Sequence, residues 1–326
     1  MDSMTTHPDA PAALFDLITR YREAVEQVII GKADRVQLAI TVLLAGGHLL
    51  LEDVPGVGKT VLAKTLARAM AADVNRIQFT PDMLPSDVTG VAIYNQRNNE
   101  FEFQPGPVFA NIVIGDEINR ASPKTQSALL ECMEERQVSV DGVTHRLPEP
   151  FTVFATQNPS EMEGTYPLPE AQRDRFMARV SMGYPDRGAE LAMLEGRDRV
   201  DPLAQLQPVV SAAQIREAIS QVQGIFVAGS VKQYIVDLAR ATREHEAVRV
   251  GVSPRATLHL LRAGKASAAV AGRNYVVPDD IRNLLVPVFA HRLVLGTRGG
   301  RAASSFADAA RVLEQIARQV PAPTGA

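Results

Sequence analysis

One stretch constrains this chain more than any other, because it joins an apolar strand pattern, a glycine-rich turn and a helical pattern. It runs from His48 to Thr60 and reads HLLLEDVPGVGKT, with helical spacing continuing to Met70. Strand, glycine loop, Lys-Thr and helix form the layout of a phosphate-binding loop. The glycines let consecutive backbone N–H groups surround an anion, and the amino end of the helix adds its positive dipole.

Two side chains of this stretch favour a nucleotide with Mg²⁺. Lys59 can reach the β- and γ-phosphates, and the Thr60 hydroxyl is placed to bind the ion. One position departs from the strict pattern GxxxxGK[ST], because Asp53 stands where its first glycine belongs. The hypothesis therefore depends on whether the chain supplies the other parts of a nucleotide site.

Bulk properties exclude several classes of protein. The 326 residues suffice for two domains, and the formal net charge of −3 provides no general basic field for nucleic acid or anionic membrane. The single cysteine, Cys132, excludes an internal disulfide or a cysteine-based zinc site and favours a core side chain. The segment 1–14 lacks a secretory signal pattern, and the most apolar run, 40–51, is too short to span a membrane. We expect a soluble cytoplasmic protein.

The hydrophobic pattern divides the chain into three segments. Strand and helix patterns alternate over 15–200, which predicts an α/β fold with a parallel three-layer sheet. Patterns around Asn98-Asn99 and Asp141-Gly142 predict two hairpins, over about 91–103 and 138–147. The segment 205–326 predicts an all-α lid domain, in which Pro287 should bend or break a helix over 280–292. The segment 1–14 is predicted to be a disordered lead-in.

Further candidate residues follow the loop in an informative order. Asp116 and Glu117 end an apolar strand, where one carboxylate can hold Mg²⁺ and the other can orient a water for attack on phosphorus. Asn158 follows the next buried strand and can hydrogen-bond both the γ-phosphate and that water. Arg173 or Arg175, and then Arg255 after Ser253-Pro254, supply candidate cations.

Each feature also has an ordinary explanation. An acidic pair at a strand end can be merely solvated, Asn158 can belong to an Asn-Pro turn, and an exposed arginine is usually a solvated side chain. Their combination and order downstream of a phosphate-binding loop favour the nucleotide site.

The chain resembles an AAA+ ATPase, specifically one of the MoxR family, from about Val28 to Arg292. The resemblance rests on six strings: LLEDVPGVGKT at 50–60, QFTPD at 78–82, GPVF at 106–109, DEINR at 116–120, ATQNP at 155–159 and GTYPLPEAQ at 164–172. The family tolerates other residues where Asp53 stands, so this departure does not weaken the match. The resemblance implies an ATPase with ATP/ADP and Mg²⁺ as its ligands.

The resemblance also assigns roles. Gly56, Gly58, Lys59 and Thr60 form Walker A, and Asp116 and Glu117 form Walker B. These motifs hold the nucleotide and the metal, with Thr60 and Asp116 as metal ligands. Glu117 is the catalytic base, Asn158 sensor 1, Arg175 the arginine finger and Arg255 sensor 2. The residues assigned to nucleotide binding are Val28, Gly31, Pro55, Gly56, Val57, Gly58, Lys59, Thr60 and Val61.

The family implies a homo-oligomeric ring, usually a hexamer, that acts as a chaperone-like motor. Its partners would carry a von Willebrand factor A domain, and the two hairpins would be its helix-2 and pre-sensor-1 inserts. Hydrolysis would then need Glu117 from the same sheet, Arg255 from the lid and Arg175 from a neighbouring subunit.

Three alternatives remain open at this stage. A non-hydrolysing nucleotide switch conflicts with the Asp116-Glu117 pair and Asn158. A nucleic-acid motor could use His145 and Arg146 of the second hairpin, although the net charge of −3 and the absence of tryptophan weaken this alternative. A magnesium-chelatase-type motor shares the inserts, but the six strings favour MoxR.

Overall fold

A five-stranded parallel sheet organises the first part of the chain in a computed structural model, which describes residues 10–53, 56–157, 166–185, 187–188, 190–191, 201–296 and 305–324. The strands are β1 (Leu49–Glu52), β2 (Val74–Gln78), β3 (Gly90–Asn95), β4 (Glu100–Pro105), β5 (Ile112–Asp116), β6 (Gln137–Val140), β7 (Val143–Arg146), β8 (Thr152–Gln157), β9 (Ala178–Val180), β10 (Val248–Val250) and β11 (Val294–Leu295). The order in the central sheet is β2-β5-β8-β1-β9, and every neighbouring pair is parallel.

Helices cover both faces of this sheet and form most of the second part of the chain. They are α1 (Ala10–Glu26), α2 (Ala33–Leu44), α3 (Lys59–Ala69), α4 (Pro85–Thr89), α5 (Pro123–Glu135), α6 (Glu170–Arg173), α7 (Pro202–Gln205), α8 (Ala212–Gln223), α9 (Gly229–Glu244), α10 (Pro254–Val270), α11 (Pro278–Phe289) and α12 (Phe306–Gln319). Leu49 and Leu51 of β1 join the core formed with α1 to α3, whereas Leu50 joins a second core with α5. This alternation confirms the predicted three-layer α/β fold.

Local signals in the sequence position several helices. Ser122 accepts a hydrogen bond from the amide of Thr125 and caps α5, as the Ser-Pro pair predicts. Ser211 and Gln214 form the predicted capping box of α8. Ser253 caps α10 in the same way as Ser122 caps α5.

Two helix boundaries differ from the prediction. Helix α1 begins at Ala10, inside the expected disordered lead-in of 1–14, and the high helix propensity of Ala12 and Ala13 favours this earlier start. Helix α11 continues through Pro287 to Phe289, so of the predicted bend or break the break does not occur. Burial of Leu284, Leu285, Val288 and Phe289 offsets the hydrogen bond that the proline removes.

Both predicted hairpins are present, and they touch one another. Strands β3 and β4 pair antiparallel, as do β6 and β7. The ring of Phe103 stacks on that of His145, with centroids 3.9 Å apart and planes inclined by 17°. His145, which the nucleic-acid hypothesis invoked, therefore has a structural partner.

The second part of the chain is helical, from α8 to α12, with one short pair of strands, β10 and β11. Its buried side chains are continuous with the core between α1, α2 and the sheet. In the part of the chain that the structure describes, no helix has both the length and the apolar composition to cross a membrane.

Candidate functional site

The phosphate-binding loop lies at the carboxyl edge of the parallel sheet, between β1 and α3. Gly56 and Gly58 adopt positive φ values of 85° and 89°, a conformation that favours glycine, and α3 begins at the next residue, Lys59. A Cβ atom at either glycine would meet no protein atom within 4 Å, so the loop borders open space. Pro55, assigned to this loop from the sequence, lies outside the described residues.

Lys59 connects the loop to the acidic side chains of the same edge. Its ammonium donates a hydrogen bond to the backbone oxygen of Asp53 at 2.8 Å. Partial burial lowers the pKa of Lys59, while the negative charges of Asp53, Asp116 and Glu117 act in the opposite direction. The ammonium of Lys59 and the carboxylates at the strand ends therefore share one electrostatic environment.

Asp116 is the buried carboxylate of the site. Arg76 donates to its Oδ2 at 2.6 Å, and the Thr156 hydroxyl donates to Oδ1 at 3.2 Å. The partner strands β2 and β8 thus fix it from both sides.

Glu117 follows Asp116 in the left-handed conformation, with φ of 57°, which turns the chain away from the sheet. Gln78 and Arg120 both donate to its Oε2, each at 3.0 Å, and its amide donates to the Thr156 hydroxyl at 2.9 Å. A partly exposed carboxylate with both donors on a single oxygen retains capacity to accept a further hydrogen bond.

A cavity of about 350 Å³ adjoins the phosphate-binding loop. Its size and mostly apolar wall suit a small-molecule ligand. Val28, assigned to nucleotide binding from the sequence, lines this cavity. Gly31 does not line it, but its φ of 72° turns the chain between Ile30 and Lys32, which do. The lining residues are Val28, Ile29, Ile30, Lys32, Gly56, Val57, Gly58, Lys59, Thr60, Val61, Met182, Pro185 and Pro202.

Asp53, the departure from the loop pattern, has a structural use. Its carboxylate oxygen Oδ2 accepts hydrogen bonds from the Ser181 hydroxyl at 2.9 Å and from the Gly183 amide at 2.6 Å. On the other side of this segment, Lys32 donates to the carbonyl of Tyr184 at 2.8 Å. These three hydrogen bonds hold the segment after β9, with Met182 and Pro185, against the cavity.

The donor set of this edge fits a magnesium ion bound mainly by phosphate and water. Among the described residues, no group of three His, Cys, Asp or Glu side chains could hold a metal alone. Mg²⁺ on a nucleotide needs only one or two protein oxygens. Thr60 lines the cavity, and Asp116 ends a strand at the same edge of the sheet. Asn158, the predicted sensor, lies outside the described residues.

Arg175 and Arg255 occupy a different place. Both donate to the carboxylate of Glu134, Arg175 through Nε to Oε2 at 2.9 Å and Arg255 through Nη2 to Oε1. The three side chains are 29–36% exposed and line a second cavity of about 370 Å³.

The topology separates this cluster from the loop of its own chain. The second cavity is lined by Gly46 to His48, which precede β1, and by Arg175 and Met177, which precede β9. Amino ends of parallel strands share one edge, and the phosphate-binding loop follows the carboxyl end of β1. The four residues of β1 span about 13 Å at ~3.3 Å per residue. Arg255 thus lies beside Arg175 at the opposite edge, away from the phosphate-binding loop of its own chain.

Arg173, the alternative candidate finger, is placed differently from Arg175. Its Nε is buried and has no hydrogen-bond partner among the described residues. The intervening residue, Asp174, contacts the helical part through Ser253 and Arg292. Arg292 also donates to the carbonyls of Phe176 and Val288, so one buried guanidinium joins sheet and lid.

Sequence reasoning missed Glu134, Lys32 and the contacts of the Asp53 carboxylate. Glu134 is one acid among several on α5, and its partners are 41 and 121 positions away. No periodicity or spacing reveals such contacts.

Comparison with known proteins places these features in a family. Residues 48–178 match the family model described as "ATPase family associated with various cellular activities (AAA)", and residues 240–316 match the AAA lid domain. A crystal structure of a "putative ATPase" from Cytophaga hutchinsonii superposes with a TM-score of 0.87 and 38% identity, covering 96% of this chain and 97% of that one.

Curated relatives span most of the chain. The chain is 51% identical to "Uncharacterized protein YeaC" of Bacillus subtilis over 86% of its own length and 88% of that protein. It is 43% identical to "Chaperone MoxR1" of Mycobacterium tuberculosis, covering 83% and 74%, and 32% identical to "Protein MoxR" of Paracoccus denitrificans, covering 86% and 90%.

Proposed function

Since this chain belongs to the MoxR family of AAA+ ATPases, we propose that it is a Mg²⁺-dependent ATP hydrolase that works as a ring. The observation that carries this proposal is the split of charges between the two sheet edges. Lys59, Asp116 and Glu117 lie at one edge, and Arg175 with Arg255 lies at the other. A site split in this way is completed when a second copy brings its arginines to the loop.

The chain's own residues divide the work of binding. Backbone amides from Gly56 to Val61 and the ammonium of Lys59 bind the phosphates, and the apolar cavity with Val28 and Met182 accepts the nucleoside. Mg²⁺, when bound, supplies charge neutralisation on the β- and γ-phosphate oxygens, and Thr60 and Asp116 would hold it.

Glu117 orients the attacking water and accepts its hydrogen bond. The water oxygen forms a bond to the γ-phosphorus while the bond to the β–γ bridging oxygen breaks, leaving ADP and phosphate. Gln78 and Arg120 hold the carboxylate in place. Asn158 would contact the same γ-phosphate.

The proposed ring supplies the remaining charge. An arginine finger contributes about 10³–10⁵ in rate, so a lone subunit should be nearly idle. We assign that part to Arg175 and Arg255 acting together on the nucleotide of a neighbouring subunit, most simply in a hexamer.

The proposed biological role is remodelling of protein partners in the cytoplasm. The support is the printed name of a relative, a MoxR chaperone. We propose that the partner carries a von Willebrand factor A domain, that residues 15–200 form the ATPase core, and that residues 205–326 form the lid.

The first test is ATP hydrolysis measured across protein concentration. We expect specific activity to rise steeply on assembly, Glu117→Gln to bind ATP without turnover, and Lys59→Ala to lose binding. Glu314→Gln, at an exposed carboxylate of α12, is the control and should behave as wild type. Normal turnover by Glu117→Gln would refute the assigned base, and no hydrolysis at any concentration would leave a nucleotide switch.

The partner needs a separate test. Immobilised Glu117→Gln protein should retain a von Willebrand factor A domain protein in ATP and release it in ADP. Retention that ignores the nucleotide, or no retention at all, would refute the remodelling role.

A further inference from the structure

We infer that Glu134 is a positioning residue that holds Arg175 and Arg255 as one preorganised pair for an anion presented by another subunit. This inference rests on the proposed function, because it specifies how the arginines of that function are kept ready. It concerns the cavity at the amino edge of the sheet and a residue to which the resemblance assigns no role.

The charge in this cavity favours the binding of an anionic group. Four arginines line it, Arg136, Arg175, Arg255 and Arg262, and Glu134 is the one carboxylate among its described lining residues. Two histidines also line it, and burial lowers the pKa of His48 to about 4 and that of His259 to about 2, so both are neutral at pH 7. The cavity wall is therefore strongly positive, and a phosphate group matches it.

Glu134 uses only part of the hydrogen-bonding capacity of the two arginines. Its carboxylate accepts one hydrogen bond from Nε of Arg175 and one from a single terminal nitrogen of Arg255. Both terminal nitrogens of Arg175 have no hydrogen-bond partner among the described residues. Each guanidinium carries five N–H donors, so most of this capacity remains for phosphate oxygens.

Repulsion between the guanidiniums makes the carboxylate necessary. Two guanidiniums that share one carboxylate would repel one another if that anion were absent. Donors that stabilise a transition state are effective only when their geometry is set beforehand. Glu134 sets that geometry from the last turn of α5. The preceding residue, Met133, is itself held in place, because its carbonyl oxygen accepts a hydrogen bond from the buried ring of His48.

A purely stabilising role does not account for this arrangement. All three side chains are partly exposed, and exposed ion pairs contribute little to folding stability. One carboxylate serving two arginines from separate parts of the chain has its main consequence in their relative position.

The test uses complementary subunits. Arg175→Ala subunits keep an intact loop, and Lys59→Ala subunits keep intact arginines, so a mixture of the two should hydrolyse ATP. The Lys59→Ala subunit supplies the arginines and is called the donor. In the test it carries a second substitution, either Glu134→Gln or Glu135→Gln. Glu135 is the matched control, because it is the exposed neighbour on the same helix and its replacement changes the charge equally.

We expect the Glu134→Gln donor to lower kcat of the mixture by ~10–100-fold, the scale of a misplaced catalytic group. KM for ATP should stay within about twofold, because the loop that binds ATP belongs to the other subunit. The Glu135→Gln donor should support full activity, and Glu134→Asp, which keeps the charge, should restore part of it.

The outcomes separate the two proposals. Full activity with the Glu134→Gln donor would overturn the role of Glu134 and leave the ring mechanism intact. Failure of every mixture, including the one with unmodified arginines, would overturn the action in trans and this inference with it. If Glu134→Gln lowered thermal stability together with kcat, and Glu134→Asp restored neither, Glu134 would be a structural contact only.

Discussion

Ser253 donates its hydroxyl hydrogen to the carboxylate of Asp174, with the hydroxyl oxygen 3.0 Å from Oδ1 and 2.9 Å from Oδ2. This bond joins the cap of the lid helix α10 to the segment that enters β9. Asp174 immediately precedes Arg175, and Ser253 stands two positions before Arg255. The joint between lid and sheet is therefore also the support of the arginine pair.

Asp174→Asn should destabilise the protein substantially. Asp174 pairs with Arg292 at 2.8 Å, and the Arg292 side chain is only 3% exposed, so the substitution leaves a buried charge without its partner. Breaking a buried pair in this way costs about 3–5 kcal/mol, and the partial exposure of Asp174 places the expected loss near the lower limit. Urea unfolding measures it.

Two further variants test this explanation. Ser253→Ala removes only the cap and one hydrogen bond, and should cost about 1 kcal/mol. Asp279→Asn, at an exposed carboxylate of α11, should change the free energy of unfolding little. If Asp174→Asn were no more harmful than Asp279→Asn, Arg292 would not depend on Asp174.

Stability should fall as the pH decreases below 6.5, and His48 should account for part of the fall. Complete burial lowers the pKa of His48 from 6.5 to about 4. Between these values the unfolded chain binds a proton that the native state does not, so the free energy of unfolding decreases with decreasing pH. The shift corresponds to about 3 kcal/mol in total, present above pH 6.5 and lost by pH 4.

The measurement is urea unfolding of wild type and His48→Gln at several pH values from 7.5 to 4.5. Glutamine can accept from the Val153 amide and donate to the Met133 carbonyl, as His48 does. The variant should lose some stability at pH 7.5 and show a shallower acid slope. An unchanged slope would assign the acid sensitivity to other groups, such as His259 and His291, whose pKa values burial also lowers.

The sequence predicts those features whose causes are local. The cap at Ser122, the capping box at Ser211 and the Asp141-Gly142 turn each act within a few residues, and all three are present. The alternation of strand and helix patterns along the chain predicts the parallel sheet. It also places Asp116 and Glu117 at the sheet edge that carries the phosphate-binding loop.

Other features depend on contacts between distant parts of the chain. Asp53 looks like a defect in the loop pattern until Ser181 and Gly183, 128 and 130 positions away, are seen to use its carboxylate. Arg255 could be assigned to the lid from its Ser-Pro cap, but only the contacts of α10 with the amino edge place it beside Arg175, away from the phosphate-binding loop of its own chain. Tertiary burial likewise carries α11 through Pro287.

Asp53→Asn should weaken nucleotide binding about tenfold, which corresponds to ~1.4 kcal/mol. The substitution removes the negative charge from the side chain that accepts hydrogen bonds from Ser181 and Gly183, and so weakens both bonds. Met182 and Pro185 are then released from the wall of the cavity. Titration with a fluorescent ATP analogue gives the dissociation constant. Asp53→Gly, which restores the strict loop pattern, should bind no better than Asp53→Asn; wild-type affinity in that variant would contradict this role.

Gln78→Ala should slow hydrolysis while leaving nucleotide binding unchanged. Gln78 lies at the end of β2 and donates to Glu117 at 3.0 Å, so its loss leaves Arg120 as the remaining side-chain donor to that carboxylate among the described residues. A displaced base lowers kcat by ~10–100-fold, since positioning errors near 1 Å have effects of this size. Single-turnover hydrolysis and the dissociation constant for ATP are measured together, with Gln104→Ala on the exposed face of β4 as the matched control. Equal kcat for the two variants would show that Arg120 alone orients Glu117.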